Sequence, residues 1–144
     1  MKLNLGCECD LRKDYVNLDK KDFDLNIFPY PFEDNSIEEI VMVNVLEHLD
    51  EPYLVVKECH RILKKGGVLV VEVPSFHPSL KHKKWVHGFN YMDAVCGDSS
   101  KYQCDFWFSK KVKGVCNFKM LLWQIKIRFL NLIFNEWHFE LTKR

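Results

Sequence analysis

The sequence predicts an α/β fold in which most strands of the sheet run parallel. Short runs of Val, Ile and Leu end at turn residues and show no polar alternation, as strands buried on both faces do. Two of these runs, residues 40–45 and 68–73, flank the clearest helical pattern in the chain. A strand, a helix and a strand at this spacing predict a right-handed crossover between parallel strands.

The first half of the chain supplies the elements of this crossover in order. Four segments are predicted strands: residues 3–5, 15–18, 40–45 and 68–73. Apolar side chains at helical spacing precede the last strand: Leu54, Val55, Cys59, Ile62 and Leu63. We expect this helix to begin after Asp50 as N-cap and to end at Gly66 in a left-handed C-cap.

The second half is less regular. Residues 75–103 contain three histidines and four lysines, and we predict a long loop there. Residues 106–108 resemble a strand, and residues 118–134 are predicted to form a helix. Residues 137–141 alternate clearly between apolar and polar side chains, which predicts a final strand.

Length and composition indicate one folded domain. The chain has 144 residues, 47% of them hydrophobic, and a net charge of +1. These values exclude intrinsic disorder and a strongly basic coat for nucleic acid.

The charge is unevenly distributed along the chain. Residues 1–72 hold 9 Lys and Arg against 15 Asp and Glu, whereas residues 73–144 hold 12 against 5. The imbalance indicates either two surfaces with different partners or two ordinary solvated faces.

The six cysteines do not predict a disulfide framework or a metal site. No apolar leader opens the chain, Cys7 and Cys9 are spaced C-x-C, and no C-x-x-C pair occurs. We expect reduced thiols, no metal, and a cytoplasmic protein.

The apolar segment 118–134 is interrupted by polar residues, which excludes an ordinary membrane span. A core helix is the simplest interpretation. The alternatives are a homodimer contact or a peripheral helix at a membrane surface, so membrane association stays open.

Polar residues and a glycine follow the predicted strands at the edge where ligands bind to open α/β sheets. Gly6 ends the first strand, Asp19 follows the second, and Asn44 and Val45 close the third. A carboxylate after the second strand suits two ribose hydroxyls, and Asp24 is a further candidate. Each signal is weak alone, and their order along the chain is more specific.

The ordered motifs resemble those of the class I S-adenosylmethionine-dependent methyltransferases, in the subgroup with the type 11 methyltransferase domain. The matching segments are LNLGC, YVNLD, PFEDNSIEEI, VNVLEHLDEP, ECHRILKKGGVLVVEVP and, more loosely, EWHFELTKR. The resemblance implies a Rossmann-like three-layer sandwich with an antiparallel C-terminal edge hairpin. It also implies a single domain over residues 1–144, with a cofactor-binding half (1–74) and a half with the substrate loop, helix and closing strands (75–144).

The resemblance further implies S-adenosylmethionine as cofactor and S-adenosylhomocysteine as product. The implied cofactor-binding residues are Leu5, Gly6, Cys7, Glu8, Asp19, Asp24, Leu25, Asn44, Val45 and His48. Within this set, the Gly6 loop would lie under the methionine part, Asp19 would bind the ribose hydroxyls and Asp24 would accept from the adenine amino group.

Transfer of a methyl group from a sulfonium is a direct displacement, so the protein mainly aligns the reactants and excludes water. A base is needed only if the nucleophile must lose a proton, and the candidates are His48, His77 and His87. The acceptor is expected to be a small molecule or a lipid- or sugar-linked group. The basic segment 81–85 is either a solvated loop or a contact for a phosphate, a sugar nucleotide or a lipid head group, whereas nucleic acid is disfavoured.

Two departures from the family pattern motivate an alternative. Glu8 stands where the second glycine of the family loop is expected, and only 13 positions separate Gly6 from Asp19. The Glu8 carboxylate would either attract the cofactor's ammonium group or repel its carboxylate. The alternative function is a catalytically degenerate methyltransferase fold that acts as a binding or regulatory subunit. A dinucleotide site is disfavoured, because no glycine follows Gly6 until Gly66.

Overall fold

The computed structural model describes residues 1–74, 108–115 and 136–144 of the chain. The described strands are β1 (Lys2–Leu5), β2 (Val16–Leu18), β3 (Ile37–Val43), β4 (Leu63–Pro74), β5 (Phe108–Val115) and β6 (Glu136–Lys143). Between β3 and β4 lie a 3₁₀ turn (Leu46–His48) and helix α1 (Pro52–Ile62).

The six strands form one sheet in the order β2-β1-β3-β4-β6-β5. The pairs β1–β2, β1–β3 and β3–β4 are parallel, and β6 pairs antiparallel with both β4 and β5. The final strand is therefore inserted between β4 and the edge strand β5. This arrangement confirms the predicted α/β fold with a mostly parallel sheet and an antiparallel C-terminal hairpin.

The core lies between the sheet and helix α1. Leu3, Ile40 and Leu69 are fully buried on adjacent strands, and Val55 and Ile62 of α1 are also fully buried. The buried side chains of α1 recur every three or four residues, so one face of the helix covers the sheet. The parallel pairing of β1 with β3 places the carboxyl ends of these two strands next to each other.

The ends of α1 differ from the sequence prediction. The N-cap is Glu51 rather than Asp50, whose backbone N–H instead donates to Asn26 Oδ1 at 3.0 Å. The C-cap is Leu63 rather than Gly66, because β4 begins directly after the helix. Gly66 does adopt a left-handed backbone, with φ of +76°, but it lies where the register between β3 and β4 shifts.

Strand β3 also differs from its predicted bounds. It begins at Ile37, three residues before the predicted start, and ends at Val43 rather than Val45. The strand ends there because Asn44 takes a positive φ of +54° and turns the chain out of the sheet. Asn44 N–H donates to Glu72 O of β4 at 2.9 Å, which fixes the turn.

Only turns connect β1 to β2, so the helix that a standard crossover would hold is replaced by residues 6–15. Two paired amides hold this segment. Asn4 is 2% exposed, and its Nδ2 donates to Asp10 O at 2.6 Å and to Asn17 Oδ1 at 2.9 Å. Asn17 in turn accepts from Arg12 N–H at 2.9 Å and donates to Arg12 O and Tyr15 O. The amide pair thus substitutes for helix packing under the loop.

Three of the predictions fall on residues outside the described ranges. These are the long loop at 75–103, the helix at 118–134 and the first two residues of the strand at 106–108. The final strand, predicted at 137–141, is confirmed within β6.

In the part of the chain that the structure describes, no helix has the length and apolar character needed to cross a membrane.

Candidate functional site

A cavity of about 520 Å³ lies beyond the carboxyl ends of β1, β2 and β3. Nine of the ten residues predicted for cofactor binding line it: Gly6, Cys7, Glu8, Asp19, Asp24, Leu25, Asn44, Val45 and His48. The tenth, Leu5, is fully buried in the core instead and supports β1. The fold therefore brings together residues that are dispersed over more than forty positions of sequence.

The first wall of the cavity is the turn after β1. Gly6 has a φ of +69°, and the N–H groups of Gly6 and Cys7 both donate to Leu18 O, at 2.8 and 3.2 Å. A Cβ atom on Gly6 would lie 2.6 Å from Val45 Cγ2. Glycine is required here both by the backbone conformation and by the approach of the third wall.

Glu8 and Asp10 bring carboxylates to the same wall. Glu8 has a φ of +40°, and its side chain is exposed and lines the cavity. Asp10 also lines the cavity, and its Oδ2 accepts from the Arg12 guanidinium at 3.3 Å. The left-handed conformation that the family's glycine would adopt easily is thus taken by a charged residue.

The second wall follows β2. The backbone N–H of Asp19 donates to Asp22 Oδ2 at 2.8 Å, which fixes the turn. The Asp19 carboxylate itself has no hydrogen-bond donor in the described part of the chain, so both of its oxygens are available to a ligand. Burial raises the pKa of the Cys7 thiol, and the nearby Asp19 charge raises that pKa further. Both effects disfavour the thiolate form of Cys7.

Asp24 and Leu25 extend the second wall. Asp24 Oδ1 accepts from Asn26 N–H at 3.0 Å, and Leu25 is 8% exposed. Phe23 also lines the cavity and packs edge-on against Tyr30, with ring centroids 5.3 Å apart. Phe23 was not predicted. Its only signal in the sequence is that it is an aromatic residue between the candidate acids Asp19 and Asp24.

The third wall is formed by Asn44, Val45 and the 3₁₀ turn. The side chain of His48 is 40% exposed and lines the cavity. Glu47 is not among the lining residues and is 1% exposed, with Oε1 3.9 Å from His48 Nε2. Within the described residues no hydrogen-bond donor reaches its Oε2, and burial raises the pKa of the carboxyl group.

Of the three histidines predicted as bases, the structure places only His48, at the cavity. His77 and His87 lie outside the described residues. Asn26 and Leu49 also line the cavity and were not predicted, because they follow no recognisable strand-end motif.

Comparison with known proteins relates this site to one family. Residues 10–71 match a family described as the methyltransferase domain. An S-adenosylmethionine-dependent methyltransferase from Mycolicibacterium smegmatis is 38% identical over 50 residues. That match covers 35% of this chain and about a fifth of the relative's length.

Solved methyltransferase structures share the fold over nearly the whole chain. A protein from Haloferax volcanii, solved in complex with the Trm112 methyltransferase activator, matches this chain with a TM-score of 0.67 and 10% sequence identity. The match covers 99% of this chain and 81% of the other. An S-adenosylmethionine-dependent methyltransferase from Thermotoga maritima has a TM-score of 0.64 and 16% identity, with coverage of 99% and 82%. Phosphoethanolamine N-methyltransferase 2 from Haemonchus contortus, in complex with S-adenosylmethionine, has a TM-score of 0.64 and 13% identity, with coverage of 99% and 48%.

The solved structures confirm the Rossmann-like fold. The matched family and the relative from Mycolicibacterium smegmatis are both described as methyltransferases, which agrees with the resemblance seen in the sequence. Residues 10–71 thus match the model of the methyltransferase domain family, and part of the chain is similar to an S-adenosylmethionine-dependent methyltransferase.

Proposed function

We propose that this chain binds S-adenosylmethionine in the cavity at the strand ends and catalyses direct methyl transfer to an acceptor. The observation that supports this most strongly is that Asp19, whose carboxylate has no donor within the described residues, lines one cavity together with the adjoining Gly6 turn. A cavity of about 520 Å³ lined by both apolar and polar residues has the size of a small-molecule site.

The residues of the cavity fit the parts of the cofactor. The absence of a side chain on Gly6 lets the ligand approach the backbone, and Asp19 can accept hydrogen bonds from both ribose hydroxyls. Phe23, Leu25 and Val45 provide apolar surface for the adenine ring and exclude water. When bound, S-adenosylmethionine supplies an electrophilic methyl group on a sulfonium.

His48 is the proposed base within the described residues. It lines the cavity and is partly exposed, so its imidazole is accessible to an acceptor. Near neutral pH an imidazole can take a proton from an acceptor that must lose one. For an acceptor without such a proton, alignment alone is required.

The proposed acceptor is a small molecule or a lipid- or sugar-linked group. The structural neighbour named for phosphoethanolamine supports a small acceptor of this kind. The neighbour solved with a methyltransferase activator supports an activator protein as a further partner. A homodimer or membrane contact through residues 118–134 remains an additional proposal, as do the cytoplasmic location and the single domain over residues 1–144.

Calorimetric titration with S-adenosylmethionine and S-adenosylhomocysteine tests the proposal, with Asp19→Ala as the site variant. Asp14→Asn is a matched control, because Asp14 is an exposed carboxylate that does not line the cavity, and asparagine tolerates its φ of +67°. We expect micromolar binding that is lost in Asp19→Ala and retained in Asp14→Asn. Equal binding by all three proteins would contradict the proposed site.

The degenerate-fold alternative is favoured by Glu8 and by the short connection between β1 and β2. It predicts that the folded protein binds neither ligand. Circular dichroism on the same samples shows that they are folded, so an absence of binding would favour the binding or regulatory subunit over the enzyme.

A further inference from the structure

We propose that Glu8 makes the cavity prefer the positively charged cofactor over its uncharged reaction product. The inference rests on the proposed function, because it concerns how the same cavity distinguishes S-adenosylmethionine from S-adenosylhomocysteine. It assigns a specificity-determining role to a residue that departs from the family's glycine.

The backbone keeps Glu8 in the place of that glycine. A φ of +40° is a conformation that residues with a side chain rarely adopt. The strain is retained within a loop fixed by the bonds of Gly6 and Cys7 to Leu18 O and of Asp10 N–H to Cys7 O at 2.6 Å. The loop therefore keeps Glu8 among the residues that line the cavity.

Among the carboxylates that line the cavity, Glu8 is the one without an assigned partner. Asp10 accepts from Arg12, and Asp24 accepts from Asn26 N–H. Asp19 is assigned to the ribose hydroxyls. No hydrogen bond or ion pair reaches the Glu8 carboxylate from the part of the chain that the structure describes. Its charge is therefore available to a cationic ligand.

The reaction changes the charge that Glu8 would face. In the transfer, the bond between sulfur and the methyl carbon breaks and its electron pair stays on sulfur, while the acceptor's lone pair forms the new bond to carbon. The sulfonium becomes a neutral thioether, whereas the ammonium and carboxylate groups are the same in cofactor and product. A carboxylate at a partly enclosed cavity attracts the extra positive charge of the cofactor. Glu8 should therefore favour binding of the cofactor and release of the product.

Calorimetry of the full chain with S-adenosylmethionine and S-adenosylhomocysteine tests this inference through the ratio of the two Kd values. Glu8→Gln removes the charge and keeps the size of the side chain. Glu8→Gly also removes the charge and relieves the backbone strain, so any effect shared by both variants belongs to the carboxylate. Glu33→Gln is the matched control, since Glu33 is exposed and does not line the cavity.

We expect both Glu8 variants to lower the ratio of the product Kd to the cofactor Kd by about threefold to tenfold, and Glu33→Gln to leave it unchanged. An unchanged ratio in both Glu8 variants would overturn the inference. The proposed function would still stand in that case, provided that the wild type binds the cofactor. A higher ratio in both Glu8 variants would overturn the inference too, because the carboxylate would then disfavour the cofactor relative to the product. Binding of neither ligand by the folded wild type would reject the proposed function itself.

Discussion

A methyl group on Gly6 would lie 2.6 Å from Cγ2 of Val45, so the turn after β1 and the turn after β3 are in direct contact. Val45 is 7% exposed and belongs to the core, which leaves it little room to move aside. The relationship explains how two loops that are far apart in sequence close one side of the cavity. It also makes Gly6 a sensitive position for both stability and ligand binding.

Gly6→Ala should lower the free energy of unfolding by about 3 kcal/mol, because overpacking against Val45 adds to the left-handed backbone strain. Gly66→Ala is a matched control with a φ of +76° and no atom within 4 Å of the added Cβ. Gly66→Ala should lower the free energy of unfolding by only about 1 kcal/mol, because the left-handed backbone strain is its only cost. Urea unfolding measures both, and equal losses in the two variants would show that the contact with Val45 is unimportant.

Removing the donors of Asn17 should loosen the loop over residues 6–15. Asn17→Asp keeps an acceptor for Asn4 and Arg12 N–H but loses both donated bonds, and we expect a loss of about 2 kcal/mol. Asn17→Ala removes all four bonds and should lower stability further. Amide hydrogen exchange should accelerate over residues 7–15 in both variants. Exchange that stayed as slow as in the wild type would mean that the amide pair does not hold the loop.

Glu47 should make the protein less stable as pH rises. Burial raises the pKa of Glu47 in the folded state above the ordinary value of 4.5, so folding favours the protonated form. Its contribution to stability is complete below pH 4.5 and declines as the pH rises through the raised pKa. Glu47→Gln should therefore increase the free energy of unfolding by about 1 kcal/mol at pH 8 and leave it nearly unchanged at pH 4. A pH-independent difference between the two proteins, from urea titrations, would contradict this explanation.

Arg61 should contribute far more to the free energy of unfolding than a surface lysine does. Its guanidinium donates to Glu58, to Asp34 and to the backbone carbonyls of Tyr30 and Phe32, which joins α1 to the segment before β3. We expect Arg61→Ala to lower the unfolding free energy by about 2 kcal/mol.

Lys64→Ala is the comparison for Arg61, since Lys64 makes an exposed ion pair with Glu38 at 2.9 Å. This variant should change the unfolding free energy by less than about 0.5 kcal/mol. Thermal unfolding of the two proteins gives the ranking. Similar effects would indicate that the hydrogen bonds of Arg61 to carbonyl groups add little.

The strands and the crossover could be predicted because they depend on local patterns. Apolar runs ended by turn residues locate β1, β2, β3 and β4, and the spacing of apolar side chains locates α1. Their exact ends depend on contacts that are distant in sequence. The bond from Asp50 N–H to Asn26 moves the helix start, and the bond from Asn44 N–H to Glu72 ends β3.

The candidate site was predictable only where residues follow strands. Asp19 and Asn44 were found in this way, because the carboxyl ends of parallel strands meet at one edge. Phe23 and Leu49 reach the cavity from turns whose path no local pattern specifies. The amide pair of Asn4 and Asn17 was also missed, since neighbouring strands bring the two together and neither is unusual alone.

Site-resolved binding by NMR tests the central claim most directly. Titration of ¹⁵N-labelled protein with S-adenosylmethionine should shift the backbone amide resonances of Gly6, Cys7, Asp19 and Asn44. The amide resonances of Glu38 and Lys64 should not shift, because these residues lie near the amino ends of β3 and β4, away from the cavity. Shifts confined to residues outside the cavity, or none at all in a well-dispersed spectrum, would contradict the account of this chain as an S-adenosylmethionine-binding methyltransferase.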